Sequence, residues 1–128
     1  MTEYQPGVCN IGRDERRKRR RLGVLTLLAA GGYVLAILVT NRPATLLLGA
    51  FPLLFGGVLG LLQDRLGFCA GFAALARYDL SGSGGSAGKA TDREALRTDR
   101  LRAVQIAAGA AAIAAIATGL LYAAGTAL

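Results

Sequence analysis

The sequence predicts an all-α integral membrane protein, a transmembrane three-helix bundle with one additional interfacial helix. Two observations carry this prediction: three long apolar runs that contain no Asp, Glu, Lys, Arg or His, and a basic charge balance confined to their flanks. Each run has the length that a helix needs to cross a hydrocarbon core of roughly 30 Å. The runs are 22–40, 44–62 and 103–124. About 60 of the 128 residues lie in them, so we expect a single membrane domain with no room for a soluble catalytic domain.

The distribution of positive charge predicts the orientation. Arg42 is the one basic residue between the first and second runs, and the other fourteen of the 15 Lys and Arg residues precede the first run or lie between the second and third. Basic residues are enriched on the cytoplasmic side of a membrane. We therefore expect an integral plasma membrane protein with a cytoplasmic N-terminus and an external C-terminus.

The first helix is expected to begin after an irregular tail. Residues 1–12 contain two glycines and a proline, which favour a turn over a regular element. Asp14 and Glu15 suit the positive end of a helix dipole, which predicts a helix start near Arg13. The basic run that follows is predicted to be helical and continuous with span one, so that one helix covers 13–40. A very short outer turn then ends at Pro43, which suits the first turn of the next helix.

The second span is predicted over 44–62, with a bend at Pro52 because a proline lacks the N–H that the helix requires. Residues 66–78 are too few to cross the membrane but place Phe and Leu at helical spacing, which predicts a helix lying at the inner interface. The following Gly and Ser stretch, 81–90, is predicted to be a flexible linker.

The last helix is predicted over 92–124. Thr91 and Glu94 have the spacing of a capping box, which favours a helix start at this point. The charged residues that follow precede the third apolar run, so roughly two to three turns of this helix should project from the membrane before the span begins.

Each span carries a face of small residues, which allows the backbones of membrane helices to approach closely. We expect these faces to pack within one three-helix bundle, and the alternative is that at least one of them forms a dimer or docks to a larger membrane protein. The predicted packing residues are Ala29, Gly32 and Ala36 in span one, Gly49, Gly56 and Gly60 in span two, and Ala108, Ala112, Ala115 and Gly119 in span three.

A block of consecutive basic residues precedes span one. Such a block could bind nucleic acid, but its position beside a span is explained by membrane orientation and by anionic head groups, at about 1 kcal/mol per residue near the surface. We therefore expect anionic lipid on the inner side as the partner, and no nucleic acid. The predicted lipid-binding residues are Arg16, Arg17, Lys18, Arg19, Arg20 and Arg21.

Several functions are disfavoured by what the spans and flanks lack. The apolar runs contain no ionisable residue, which argues against a pump or a proton-coupled exporter. The chain has no His, which excludes haem held by imidazole and acid–base catalysis by His. Residues 83–90 superficially resemble a phosphate-binding loop, but Ser83 replaces the first Gly and Ala90 the final hydroxyl residue. We expect no cofactor and no enzymatic activity.

The two cysteines, Cys9 and Cys69, form the remaining candidate site. Both fall on the expected inner side, where thiols are kept reduced, so a structural disulfide is not expected. They are candidates for a metal site or a redox thiol, although two thiolates are fewer than the four ligands of a closed zinc site. The alternative is that Cys69 is a packed apolar residue and Cys9 an ordinary tail thiol.

A short motif opens the chain, Cys-Asn-Ile-Gly at 9–12, followed by a basic helix. Together with Phe68-Cys69 after span two and Asp99-Arg100 before span three, it resembles a set of small uncharacterised prokaryotic multi-pass membrane proteins. That resemblance implies no activity, and it adds weight only to the two cysteine positions.

By elimination, the sequence predicts a small structural or accessory subunit of a membrane complex. One alternative is a membrane-bound thiol redox or metal site that uses the two cysteines. Another alternative is a small oligomeric pore or carrier for a neutral solute. The expected macromolecular partners are a larger membrane protein or further copies of the chain.

Overall fold

A computed structural model describes residues 4–80 and 87–127, and all three apolar runs are helical in it. All three are long and apolar enough to cross a membrane. The predicted all-α bundle is therefore confirmed, with the addition of a small two-stranded sheet. The helices are α1 at Arg13–Val39, α2 at Ala50–Leu66 after a 3₁₀ segment at Ala44–Gly49, a short α3 at Ala70–Ala74, and α4 at Arg93–Ala127.

Helix α1 ends in a tight turn of the chain. Asn41 has a φ of 55°, in the left-handed region that Asn tolerates better than most residues. The amide of the next residue, Arg42, donates to the carbonyl of Ile37 at 3.1 Å, which closes the helix end. The reversal brings α2 back alongside α1.

Pro52 is the third residue of α2, and the preceding 3₁₀ segment runs directly into this helix, since backbone N–H groups at the junction donate to the carbonyls of Leu47 and Leu48. Pro52 has no N–H to continue this series of hydrogen bonds. The geometry changes from 3₁₀ to α between Gly49 and Ala50, and the bend at Pro52 stays a prediction. At the other end, Gly67 has a φ of 65° and its N–H donates to the carbonyl of Asp64, which terminates α2.

The interfacial helix predicted over 66–78 is much shorter in the structure. Apart from Leu66, which ends α2, only the five residues of α3 are helical there, and the chain then forms strand β1 at Arg77–Asp79. Ala76 adopts a φ of 58°, which is incompatible with a continuing helix. The Phe and Leu periodicity was thus too short to determine the conformation against the competing strand pairing.

Strand β1 pairs in antiparallel register with β2 at Ala87–Lys89. The last residues of the predicted linker are therefore an ordered strand, and 81–86 lie outside the described residues. Ala90 extends the connection, since its N–H donates to the carbonyl of Ala76 at 2.7 Å. Helix α4 begins after Asp92, whose carbonyl accepts the N–H of Leu96 at 3.0 Å.

Helix α2 lies between α1 and α4, and each of the outer helices packs mainly on it. The α1–α2 contact is built from glycines: a Cβ on Gly60 would lie 3.0 Å from the Cα of Gly23, and a Cβ on Gly23 would lie 2.9 Å from the carbonyl oxygen of Gly57. On the other side, α4 packs through Ala110 and Ala114, both fully buried. The helix backbones therefore approach closely, as small residues permit in membranes.

Most of the apolar surface of the three helices faces outward. Only 17%, 22% and 22% of the three apolar stretches are buried within the protein. Exposing such an apolar surface to water would cost much free energy, whereas exposing it to lipid costs none. The chain is a membrane protein by the length and composition of these helices, and its polar interactions are concentrated at one end. We call that end, where α1 and α4 begin and α2 ends, the basic end.

Candidate functional site

The basic end is covered by a folded segment that we call the cap, comprising residues 4–12, α3 and the two strands. Its centre is Asn10, which is fully buried. The Asn10 side-chain amide donates to the carbonyl of Cys69 at 3.0 Å, and the Cys69 N–H donates to Asn10 Oδ1 at 2.6 Å. The Asn10 N–H also donates to the carbonyl of Gly67 at 3.1 Å. One side chain therefore attaches the N-terminal segment to the end of α2.

The N-terminal segment is also attached to the sheet. Asp79 N–H donates to the carbonyl of Asn10 at 2.8 Å, and Gly12 N–H donates to the carbonyl of Asp79 at 2.7 Å. Gly12 lies so close to Leu80 that a Cβ would be 2.6 Å from its carbonyl carbon and oxygen. The last residue of the Cys-Asn-Ile-Gly motif is thus a glycine because a side chain would collide with backbone.

Asp99 attaches the N-terminal segment to α4. It is fully buried, accepts a hydrogen bond from the Gly7 N–H at 2.7 Å, and accepts another from the Tyr4 hydroxyl. The Tyr4 ring stacks on Tyr78 with centroids 4.6 Å apart. Burial raises the pKa of the Tyr4 hydroxyl, and the hydrogen bond and charge of Asp99 raise it further. A buried carboxylate is tolerated here because two donors compensate it.

One face of the basic block points into the cap. Arg19 donates to Cys69 Sγ at 3.1 Å, pairs with Glu15, and places its guanidinium 5.0 Å from the centroid of the Phe72 ring. Its side chain is only 17% exposed. Lys18 pairs with the same Glu15 at 3.1 Å, although its own side chain is 66% exposed. These two cations are therefore bound to an acidic partner inside the protein.

The opposite face of the block lines a cavity of about 370 Å³. Four arginines of α1 line it, together with Cys9 and Ile11 of the N-terminal segment and Asp64 of α2. The Arg16 Nε donates to the carbonyl of Asp64 at 2.7 Å and lies 3.7 Å from its carboxylate. The four arginines are Arg13, Arg16, Arg17 and Arg20.

The predicted lipid-binding residues thus divide into two groups. Arg16, Arg17 and Arg20 line the cavity, whereas Lys18 and Arg19 are paired with Glu15. Arg21 is exposed outside both groups. The pairing with Glu15 is local, at the i,i+3 and i,i+4 spacing of one helix face. The cavity also needs Asp64, from a segment distant in the chain, so the sequence pattern did not indicate which arginines line it.

The two candidate cysteines are both buried and both free thiols. Cys69 accepts the hydrogen bond from Arg19, and the Cys9 thiol donates to the carbonyl of Ile11 at 3.6 Å. Within residues 4–80 and 87–127, no three side chains of His, Cys, Asp or Glu are grouped as a metal site requires. The structure therefore gives each thiol a protein partner, and neither thiol belongs to a group of three or more such side chains in the described part of the chain.

The predicted packing faces are largely on the outside. Residues of span one and span three that we expected inside the bundle are exposed, while the buried positions of those helices lie one or two residues away, at Ala30, Ala110 and Ala114. In span two, Gly60 lies at the α1 contact, Gly56 is half-buried, and Gly49 faces the hydroxyl of Tyr33. The exposed positions are Ala29, Gly32, Ala36, Ala108, Ala112, Ala115 and Gly119.

This correction has a simple physical reason. Both spans are rich in small residues all around the helix, so more than one face allows close approach, and composition alone does not choose between them. In the structure, Asp99 bonds to Tyr4 and Gly7 of the cap and lies on the same buried stripe of α4 as Ala110 and Ala114, so the face of α4 that enters the cap is also the face that packs. Sequence reasoning also missed the structural roles of Asn10, Tyr4 and Asp99, and no local pattern at those residues indicates their partners.

No family model, no curated protein and no solved structure matches this chain. The resemblance carried by the Cys-Asn-Ile-Gly motif therefore stays a prediction. The features of the chain that bear on function are the cap, the cavity and the outer helix faces.

Proposed function

We propose that this chain is a small, non-enzymatic accessory subunit of a plasma membrane complex, with its N-terminus cytoplasmic and its C-terminus outside. The observation that carries the proposal is the outward position of the small-residue faces of α1 and α4. A Cβ placed on Gly32 or on Gly119 meets no atom within 4 Å. Flat, open helix faces of this kind suit the close approach of another transmembrane helix.

The cap supports a structural role. Its buried polar side chains bond to one another and to backbone, as with Asn10 and Cys69 or Asp99 and Tyr4. Among the described residues, no buried side-chain nitrogen or oxygen lacks a hydrogen-bond partner. Groups that are engaged in this way stabilise the attachment of the N-terminal segment to all three spans, and the cap then holds the outer faces in one arrangement.

The same arrangement supports the proposed orientation. The basic end carries the cap and the arginines of α1, and Arg42 lies at the opposite end between the first two spans. The positive-inside bias therefore supports a cytoplasmic cap. A reporter fused after position 128 is expected to be external, and a cytoplasmic reporter would contradict the orientation without bearing on the partner helix.

The partner is tested by making the outer faces bulky. We expect Gly32→Leu with Ala36→Leu on α1, or Ala112→Leu with Ala115→Leu on α4, to release the chain from a larger assembly. The measurement is native mass determination after direct extraction from source membranes into lipid nanodiscs. Leu35→Ile and Ile116→Leu, which alter exposed bulky positions of the same helices, are the matched controls.

An assembly that contains the wild-type chain and a larger membrane protein, is retained in the controls, and is lost in a bulky variant supports the proposal. A wild-type chain that is extracted alone would overturn it. An assembly unaffected by both pairs of substitutions would also overturn it.

A second candidate function is a reactive thiol at Cys69, favoured by the Arg19 guanidinium 3.1 Å from its sulfur. Positive charge beside a cysteine is a feature of reactive thiols. In a Cys9→Ser background, Cys69 should be alkylated by iodoacetamide more slowly after Arg19→Gln than after the charge-retaining Arg19→Lys. Equal rates would contradict this function. The pore alternative stays a prediction.

A further inference from the structure

We propose that the cavity lined by Arg13, Arg16, Arg17 and Arg20 binds a phosphate group, supplied by an anionic lipid head group or by a soluble phosphate compound. The proposal rests on the placement of the basic end at the membrane surface, and it does not depend on a partner helix. Guanidinium groups bind phosphate through paired hydrogen bonds, and the proposal places this binding in one pocket rather than across the basic block as a whole.

The four arginines have the spacing of one helix face. They lie three, four and seven residues from Arg13 along α1, so their side chains project from the same side of the helix. The N-terminal segment and Asp64 close the other sides of a cavity of about 370 Å³. Cavities of this size are typical of small-molecule sites.

The charge of the cavity is strongly positive. Four arginines and one carboxylate, that of Asp64, line it. Arg13 has a partner within the protein, and Arg16 uses its Nε on the Asp64 carbonyl, so Arg17 and Arg20 carry the argument. In the described part of the chain, Arg17 and Arg20 form no hydrogen bond or ion pair, so their donors are available. Like charges on one helix face repel one another. An anion in the cavity would relieve that repulsion.

The inner half of the cavity lies at the depth of the phosphate layer of a membrane. The apolar run begins at Leu22, so at a rise of 1.5 Å per residue Arg20 lies about 3 Å before it, Arg17 about 8 Å and Arg13 about 14 Å. The head-group region extends about 5–8 Å beyond the hydrocarbon core on each side, so Arg17 and Arg20 lie within it and Arg13 lies outside it.

The experiment uses the purified full-length protein. Nanodiscs of phosphatidylcholine containing a minor fraction of phosphatidylglycerol supply the lipid, and native mass spectrometry measures how much phosphatidylglycerol stays bound. The cavity variant is Arg17→Gln with Arg20→Gln. The matched control, Lys18→Gln with Arg21→Gln, removes the same charge from the same block outside the cavity.

We expect the affinity for phosphatidylglycerol to fall about tenfold in the cavity variant, because two charged hydrogen-bond donors are removed. The control variant should bind phosphatidylglycerol nearly as well as wild type. Inorganic phosphate added to wild type distinguishes the sources. Competition by inorganic phosphate supports a soluble phosphate compound, and retention of phosphatidylglycerol without competition supports a lipid head group.

Equal losses in the cavity variant and the control would show a diffuse charge effect and would overturn the proposal. Binding of neither phosphatidylglycerol nor inorganic phosphate by wild type would also overturn it. Should the glutamine variant fail to fold, Arg17→Lys with Arg20→Lys decides the question: we expect a several-fold loss, because lysine keeps the charge but not the two-pronged geometry. Unchanged binding by the lysine variant would reject the site.

Discussion

Asn10 and Cys69 bond to each other twice, amide to carbonyl at 3.0 Å and backbone N–H to Oδ1 at 2.6 Å, although they are separated by 59 positions in the chain. This reciprocal pair joins the N-terminal segment to the end of α2. It is buried, so neither residue can exchange its partner for water without opening the cap.

Asn10→Ala should destabilise the cap by about 1–3 kcal/mol, because the buried backbone N–H of Cys69 would lose its partner, whereas the Cys69 carbonyl keeps the hydrogen bond from the Ala73 N–H. Hydrogen exchange at the Cys69 amide, measured by mass spectrometry in nanodiscs, should become faster. Gln5→Ala, at an exposed position of the same segment, is the control and should leave exchange unchanged. Equal protection of the Cys69 amide in the Ala variant and wild type would contradict the role given to Asn10.

Gly12→Ala should destabilise the protein by about 1–3 kcal/mol, because the added methyl group would meet the Leu80 backbone, which cannot move as freely as a side chain. Thermal melting of the purified protein measures the effect. The matched control is Gly32→Ala, where the methyl group meets nothing within 4 Å. That change should be neutral or should stabilise α1 by about 0.5–1 kcal/mol. Similar melting temperatures for the two variants would show that Gly12 is not in tight contact.

Ala110→Leu should disrupt the packing of α4 on α2, since Ala110 is fully buried. Overpacking of this kind costs about 1–3 kcal/mol. Ala112→Leu, two residues along the same helix on the exposed surface, should melt like wild type in the isolated protein. The reverse order of stabilities would mean that the face first expected from the sequence is the one that packs.

Raising the pH should release the N-terminal segment from Asp99. Tyr4 has a pKa raised above its ordinary value of 10.0, through burial first and then through Asp99, Tyr78 and Asp92. A group with a raised pKa in the folded state contributes stability fully below its unfolded pKa and loses it as the pH rises through the folded value. Stability should therefore fall above about pH 10 as the unfolded state releases the proton first.

Tyr4→Phe isolates that effect, because phenylalanine keeps the ring but has no proton to lose. The variant should be less stable than wild type at neutral pH, and the difference should shrink above pH 10. Chemical unfolding of both proteins, from neutral pH to above pH 10, measures the difference in their free energies of unfolding. A constant difference between the two proteins at every pH would rule out the Tyr4–Asp99 bond as its source.

The local part of the fold could be predicted from the sequence. Three uncharged apolar runs of sufficient length require helices in lipid, because every backbone group must then be bonded within its own segment. The same argument does not extend to 66–78, where a short apolar period at the membrane surface has water as an alternative partner. There the pairing of Tyr78 with Gly88 determined a strand instead.

The candidate site could be predicted only in outline. The position of the basic block beside the membrane could be predicted, because the charge of each residue is known from its identity alone. The pairing of Lys18 and Arg19 with Glu15 follows from the spacing of these residues along α1. Which arginines line the cavity depends on how α1 is rotated against the cap and α2, where Gly23 is in close contact.

The sequence by itself determined that this chain has three apolar helices and where its positive charge lies, because length, hydropathy and charge act along the chain. The tertiary structure alone decided which small-residue faces are buried, that Asn10, Asp99 and Gly12 hold the cap, and that four arginines share one cavity. Those features depend on contacts between residues up to 95 positions apart, such as Tyr4 and Asp99, and no local pattern specifies them.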